Sequence, residues 1–254
     1  MNYTVPTHWQ ELNEHHLHQL APQLLAAEPP QPLAMLRAVF TPCNSWWARA
    51  KFYYLLRAVP ATELLPYLEF LNTTPGVYHF PEVAGLQKPA DRLTSISVSQ
   101  FSVADTLFYS WFQQRTPITL RQLVAALYIR GQEFSTAELV QVAAITDRLP
   151  SATHHRIALA YLSCRLHIVR QFPIVFPPAA TPDPEVIVPQ FRPLEKKYTP
   201  FSEIILSFAF QDPQPLGHYH SVKNTNLYEF LKVFTKSILH HRHIQNEYDK
   251  LKTK

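Results

Sequence analysis

The chain has 254 residues with a formal net charge of +4, and charged residues make up only 17% of it. It holds 4 glycines against 23 prolines. The widely spaced glycines exclude P-loop and dinucleotide-binding loops, which need several close together, and their scarcity disfavours an all-β fold.

Capping residues and prolines divide residues 1–172 into a series of predicted helices. Thr7 and Gln10 form a capping box that predicts a first helix reaching about Ala27. Further capping boxes begin at Ser97 and Ser135, Thr119 is a predicted N-cap, and Gly131 is the predicted C′ residue of the helix before it. The later predicted helices span about 31–40, 46–58, 62–71, 99–115, 120–130, 136–148 and 151–171. Residues 77–90 are predicted to form a loop that can hold a short strand at 77–80.

Residues 173–200 differ in composition, because they hold eight prolines and no glycine. Such a chain favours an extended, polyproline-like conformation or a short β-hairpin. Seven isoleucine, valine and phenylalanine side chains accompany the prolines. We therefore expect an ordered strap that lies on the protein.

Two helices are predicted in residues 201–254, at about 200–210 and 224–252. The longer one carries an apolar stripe formed by Leu227, Phe230, Phe234, Ile244, Tyr248 and Leu251. This spacing is typical of a seam for another helix, although Ser237 and His241 interrupt it. The preceding helix is too short to cover the whole stripe, so Ile244, Tyr248 and Leu251 are predicted to contact a partner.

The same C-terminal segment is basic. Lysine and arginine exceed acidic residues by four from Lys223 onward, which equals the net charge of the whole chain. A solvated polar face explains this pattern, and so would contact with an acidic protein surface or with nucleic-acid phosphates. The charges are too dispersed for a strong nucleic-acid signature, so a nucleic-acid partner is disfavoured.

Metal and catalytic signatures are weak. Cys43 and Cys164 cannot form a C-x-x-C pair, and the 13 histidines provide no closed set of three or four zinc ligands. We expect exposed polar histidines, with His167 beside Cys164 in the core. The acidic residues are scattered, so the sequence predicts no catalytic residue, no metal site and no cofactor.

Aromatic residues are concentrated in two predicted helices, around Trp46–Trp47 and around Trp111–Phe112. Neighbouring residues on a helix point in different directions, so these aromatics cannot all enter one core. Either the helices are buried on two sides, or Trp46, Trp47 and Trp111 help to bind a partner.

Three stretches carry a resemblance: Val5-Pro-Thr-His-Trp-Gln-Glu-Leu, the segment from Pro89 to Thr106, and the segments Phe201–Ala209 and Asn226–Leu231. In their order along the chain they resemble a family of uncharacterised bacterial phage and prophage proteins found among tail or virion genes. The resemblance implies a tail-assembly or virion component that acts through protein contacts. It carries over no catalytic residue. Within the second stretch, Arg92 could form a buried clamp with Asp91 or Asp105, or an ordinary exposed pair.

The sequence thus predicts an all-α protein with seven to nine helices, organised as a helical domain at 1–172, a strap at 173–200 and a two-helix unit at 201–254. The expected function is a non-enzymatic phage-type tail-assembly chaperone or virion structural adaptor that binds protein partners, and the chain could also form a homo-oligomer. The alternative is a nucleic-acid-associated protein that uses the basic last helix. No signal peptide or membrane-spanning run is recognisable, so a location in the host cytoplasm or the virion is expected.

Overall fold

The protein is described by a computed structural model that covers residues 5–177, 200–209 and 219–252. In these ranges the structure is all-α and holds no β-strand, so the predicted fold class is confirmed. The predicted short strand at 77–80 is absent, and residues 178–199 of the predicted strap lie outside the described residues. The helices are α1 (Glu14–Leu24), α2 (Pro32–Phe40), α3 (Trp46–Ala58), α4 (Ala61–Leu64), α5 (Val98–Gln114), α6 (Pro117–Leu127), α7 (Leu139–Thr146), α8 (Ser151–Gln171), α9 (Phe201–Ala209), α10 (Tyr219–Asn224) and α11 (Leu227–Lys252).

Several predicted helix boundaries are displaced. Ser135 makes no side-chain cap bond and α7 begins only at Leu139, while α6 ends at Leu127, so Gly131 is not its C′ residue. Helix α1 is capped by Asn13, whose side chain accepts from the backbone N–H of His16 while the His16 ring accepts from the Asn13 N–H. Thr7 belongs instead to a short turn in which its N–H donates to Glu11. Helix α6 is capped by Thr116 rather than Thr119, because Pro117 takes the first helical position, where its missing N–H costs nothing.

The start of α5 matches the sequence. Ser97 caps it by accepting from the backbone N–H of Gln100. The Gln100 side chain does not return to the cap. It donates to the carbonyls of Ala126 and Leu127 and so ties the start of α5 to the end of α6.

Helix α8 lies at the centre of the core. Every residue from Ile157 to Cys164 is buried, as expected for a helix that is covered on all sides. Helices α1 and α6 pack against it, and α5 packs along α6. Phe101 and Phe108 of α5 both contact the ring of Tyr161.

The C-terminal helices share this core. The Phe201 ring meets Phe101 edge-on with centroids 5.0 Å apart, and Phe230 of α11 contacts Phe201 in turn. A short antiparallel bridge joins residues 96–98 to residues 225–227, with the Leu227 N–H donating to the Ile96 carbonyl at 3.0 Å. The first turns of α11 are therefore anchored on α5, and within the described ranges no helix has the length and apolar character needed to cross a membrane.

Candidate functional site

Helix α3 presents its large aromatic side chains to solvent. Trp46 and Trp47 are each 63% exposed, and Tyr53 and Tyr54 are exposed as well. Within this helix, which is described in full, Phe52 is the one buried side chain. Aromatic residues are ordinarily the largest contributors to a core, so α3 has the reverse of the usual pattern.

The helical geometry explains which residues point outward. Phe52 packs on Phe40 of α2, and Leu55 and Leu56 flank it as partly buried neighbours. Trp46 and Trp47 fall on the other side, where their rings stack on each other with centroids 3.9 Å apart. Consecutive aromatic residues on a helix cannot all face inward, and α3 follows this rule. Its outward-facing aromatic side chains are exposed to solvent.

Positive charge accompanies these rings. Helix α3 carries Arg49, Lys51 and Arg57 and no acidic residue, and Arg49 donates to the Asn44 side chain just before the helix. We call the solvent-facing side chains of α3 the α3 aromatic face; they are Trp46, Trp47, Arg49, Lys51, Tyr53, Tyr54 and Arg57.

Clefts open on both sides of α3. One, of about 800 Å³, lies between the helix and the N-terminal segment and is lined by Pro6, Phe40, Pro42, Trp47 and Lys51 among others. The second, of about 340 Å³, lies towards α1 and α2 and includes Leu33, Arg37 and Tyr53. A partner on the α3 aromatic face would therefore meet concave apolar surface at both edges.

The prediction that Trp111 binds a partner, as Trp46 and Trp47 were predicted to do, is wrong. Trp111 is only 2% exposed. It lies in the core beside Phe108, with its ring centroid 5.9 Å away, and the Arg115 guanidinium lies over its ring. For helix α5 the first of the two alternatives holds: the helix is buried on more than one side. The sequence pattern of the two aromatic helices is similar, and only the neighbouring elements distinguish them.

The end of α11 is a second open surface. Ile244, Tyr248 and Leu251 are 39%, 60% and 70% exposed, and every residue from 239 to 252 is exposed. The first turns of the same stripe are buried at Leu227 and Phe230. The helix thus overhangs the body, and we call residues 239–252 the α11 overhang.

The histidines are only partly as expected. His16 and His154 are buried, contrary to the prediction of exposed polar histidines, because His16 completes the cap of α1 and the His154 ring bonds the Pro150 carbonyl in the first turn of α8. Among the described residues, no three His, Cys, Asp or Glu side chains are placed to hold a metal ion. Cys43 and Cys164 are both free thiols, and burial raises the pKa of Cys164 to about 12.

The buried histidines predict a loss of stability in acid. Burial lowers the pKa of both His16 and His154 below the ordinary value of 6.5, so below that pH the unfolded chain binds protons more readily than the folded chain. The free energy of unfolding should therefore decrease as the pH is lowered from about 7 to about 5. Urea titrations at several pH values measure this, and His16→Gln should flatten the dependence. An unchanged slope in that variant would contradict the assignment to His16.

A buried charged cluster was missed by sequence reasoning. The Asp105 carboxylate accepts from the Arg165 Nε at 2.6 Å and from the Tyr161 hydroxyl at 3.1 Å, while the Arg165 Nη2 donates to the Tyr109 hydroxyl at 2.8 Å. Burial alone would lower the pKa of Arg165, but Asp105 raises it, so the guanidinium stays charged. Neither cleft beside α3 is lined by these residues, and we assign the cluster a structural role.

The predicted clamp at Arg92 is not formed. Arg92 is exposed, its guanidinium lies over the Tyr78 ring, and Asp91 pairs instead with His79 at 2.8 Å. Arg165 takes the place that the sequence argument gave to Arg92. The sequence does hold one signal of this cluster: the i, i+4 spacing of Tyr161 and Arg165, which places both side chains on one face of α8.

Comparisons with known proteins add no relative: no family model, no curated protein and no solved structure matches the chain.

Proposed function

We propose that the protein is a non-enzymatic assembly protein, of the kind of a phage tail-assembly chaperone or virion structural adaptor, that holds a protein partner on the α3 aromatic face. It would act in the host cytoplasm or in the virion. The observation that carries the proposal is the exposure of Trp46 and Trp47 on a helix that buries a single side chain. The phage context is supported by the resemblance alone.

The energetics of protein interfaces support this use of α3. Tryptophan, tyrosine and arginine are enriched at binding hot spots, and the rigid rings of tryptophan and tyrosine bury large areas at a low cost in side-chain entropy. Two tryptophan side chains exposed to water are unfavourable in free energy, and a partner that covers them removes this apolar surface from water.

The charges indicate what the partner offers. Helix α3 contributes the basic residues Arg49 and Arg57 to this face and carries no acidic residue, so we expect the bound segment to be apolar at its centre and acidic at its edge. The clefts beside the helix would receive side chains from that segment. Opposite charges would speed association more than they strengthen it.

The test is co-expression with each of the proteins encoded beside this chain, followed by co-elution. Covering Trp46 and Trp47 should shift tryptophan emission to shorter wavelength, and Trp46→Ala with Trp47→Ala should weaken binding by at least about tenfold. Ile118→Ala is the control, because Ile118 is an exposed apolar residue on α6. It should bind normally.

Two results would contradict the proposal. One is a partner that binds the double tryptophan variant as tightly as the unchanged protein. The other is salt-sensitive binding to DNA that is lost when residues 241–254 are removed, which would favour the alternative of a nucleic-acid-associated protein acting through the basic last helix.

A further inference from the structure

We propose that the larger of the two clefts beside α3 binds a side-chain carboxylate of the protein partner, carried on a peptide segment, and that this carboxylate caps the start of α3. The inference rests on the proposed function, because it names the chemical group by which the acidic edge of the bound segment is held. The binding groups on this chain are the first backbone N–H groups of α3 and the ring of His16.

The start of α3 lacks the acceptors that ordinarily satisfy the first N–H groups of a helix. Ser45 occupies the N-cap position, but its side chain makes no cap hydrogen bond, and the first turn holds no acidic residue. The side-chain oxygen of the preceding Asn44 is taken by the Arg49 guanidinium. Among the described residues, none accepts from the N–H groups of residues 46–48. Such a helix end favours negative charge, because the N–H groups and the helix dipole act together.

This helix end opens on the cleft. Ser45, Trp47 and Ala48 line the cleft from α3, and residues 5–7 line it from the N-terminal segment. Its volume of about 800 Å³ is much larger than one carboxylate group and lies in the range of sites that enclose a whole organic ligand. The occupant therefore has the size of a short peptide segment rather than that of a small ion.

A buried histidine in the lining of the cleft also lacks a partner. His16 lines the cleft and is only 3% exposed. Its Nδ1 accepts from the backbone N–H of Asn13 at 3.1 Å, so the neutral ring carries its proton on Nε2. Among the described residues, no group accepts from this Nε2–H. Because Nδ1 is held at the cap of α1, Nε2 is the ring nitrogen left for an occupant of the cleft.

The His16 ring is neutral at pH 7. Burial lowers the pKa of His16 more than the nearby Val39 carbonyl raises it, and that carbonyl makes no hydrogen bond with Nε2. A neutral N–H needs an acceptor but not a negative charge, so a peptide carbonyl is sufficient for it. A buried donor without an acceptor is unfavourable, and an occupant that supplies one removes this cost.

The charges of the lining agree with an acidic occupant. Lys51 brings a positive charge to the cleft. Glu11 is the acidic residue of the lining, and its carboxylate already accepts from the backbone N–H of Thr7 at 2.6 Å and from the Thr7 hydroxyl at 3.3 Å. It is therefore not the acceptor that α3 lacks. An acidic peptide segment meets both needs of the cleft, since its side-chain carboxylate suits the start of α3 and its backbone carbonyl suits His16.

Ser45→Asp tests the site in the complex with the co-eluting partner. Aspartate is a strong N-cap, so its carboxylate should take the N–H groups of α3 and exclude the partner's carboxylate. Isothermal titration calorimetry should then show binding weakened by at least about tenfold. Ser45→Ala is the matched control and should bind normally, because the Ser45 side chain has no cap bond to lose. Full-strength binding by Ser45→Asp would overturn the proposal.

Acetate tests the site without the partner. In the full chain, the backbone amide resonances of residues 46–48 should shift saturably with acetate and not with chloride at the same ionic strength. The shifts should be absent in Ser45→Asp. No response to acetate, or an equal response in that variant, would overturn the proposal. If acetate binds but Ser45→Asp holds the partner normally, the ligand is a free carboxylate and the assignment to the partner is wrong.

His16→Phe tests the second binding group, because it keeps a ring and removes the Nε2–H. It should weaken partner binding, and unchanged binding would contradict the role of His16. The double variant Trp46→Ala with Trp47→Ala separates this inference from the proposed function. If that double variant weakens binding and Ser45→Asp does not, the cleft inference fails and the proposed function stands. If Ser45→Asp alone weakens binding, the carboxylate site stands and the aromatic face is not the binding surface.

Discussion

Asp105→Ala should destabilise the protein by about 3–5 kcal/mol, because it leaves the Arg165 guanidinium largely buried without its carboxylate partner. Arg165 is held between α8 and α5 by Asp105 and the Tyr109 hydroxyl, and the Tyr161 hydroxyl would lose its acceptor as well. Urea unfolding at neutral pH measures the change. Asp105→Asn should cost less, since its amide oxygen can still accept from Tyr161.

The matched control is Asp91→Ala. Asp91 also forms an ion pair, with His79, but both side chains are more than half exposed, and exposed pairs of this kind are worth less than about 1 kcal/mol. If the Asp105 and Asp91 variants lose similar stability, the cluster is not the structural anchor that the geometry indicates.

Phe230→Ala should cost about 3–5 kcal/mol as well, since it removes a fully buried ring from the contact between α11 and the body. The Phe230 ring meets Phe201, Phe208 and Phe234, with centroids 5.3 to 5.9 Å apart. The unfolding transition of the whole chain should shift, because α9 and α11 share the core that surrounds α8. Near-ultraviolet circular dichroism during urea unfolding follows this change.

Leu239→Ala provides the comparison for Phe230→Ala. Leu239 lies on the same helix but is exposed, so its removal should change the free energy of unfolding by no more than about 0.5 kcal/mol. A separate early transition in the Phe230 variant, with the main transition unmoved, would show that the C-terminal helices unfold independently of the core around α8.

The sequence predicts most of the helices and their order, because prolines and capping residues act locally. Ser97 is recognised as a cap by its own chemistry, and it caps α5. The predicted caps at Thr7 and Thr119 are wrong because a nearby residue determines the helix start instead. Asn13 caps α1 closer to its apolar residues, and Pro117 takes the first position of α6, so that Thr116 is its cap. Helix boundaries therefore depend on which of several local signals prevails.

The candidate surfaces are less predictable, since exposure depends on the neighbouring helices. Trp46 and Trp111 have comparable local patterns, yet α5 is covered by α6, α9 and α10 whereas α3 packs on α2. Ile244, Tyr248 and Leu251, which the sequence assigns to a partner contact, are exposed in the structure, and the contact itself stays a prediction. The buried Asp105–Arg165 pair joins residues 60 positions apart. The i, i+4 spacing places Tyr161 and Arg165 on one face of α8, but no local pattern shows that Asp105 lies against that face.

The most direct test of the central claim is a hydrogen-exchange measurement on the complex of this protein with the protein that co-elutes with it. The account predicts slower amide exchange across residues 46–58 when the partner is bound, with no change across 117–127, which carries the exposed control residue Ile118. Unchanged exchange across 46–58 in the complex would contradict the assignment of the α3 aromatic face as the partner-binding surface.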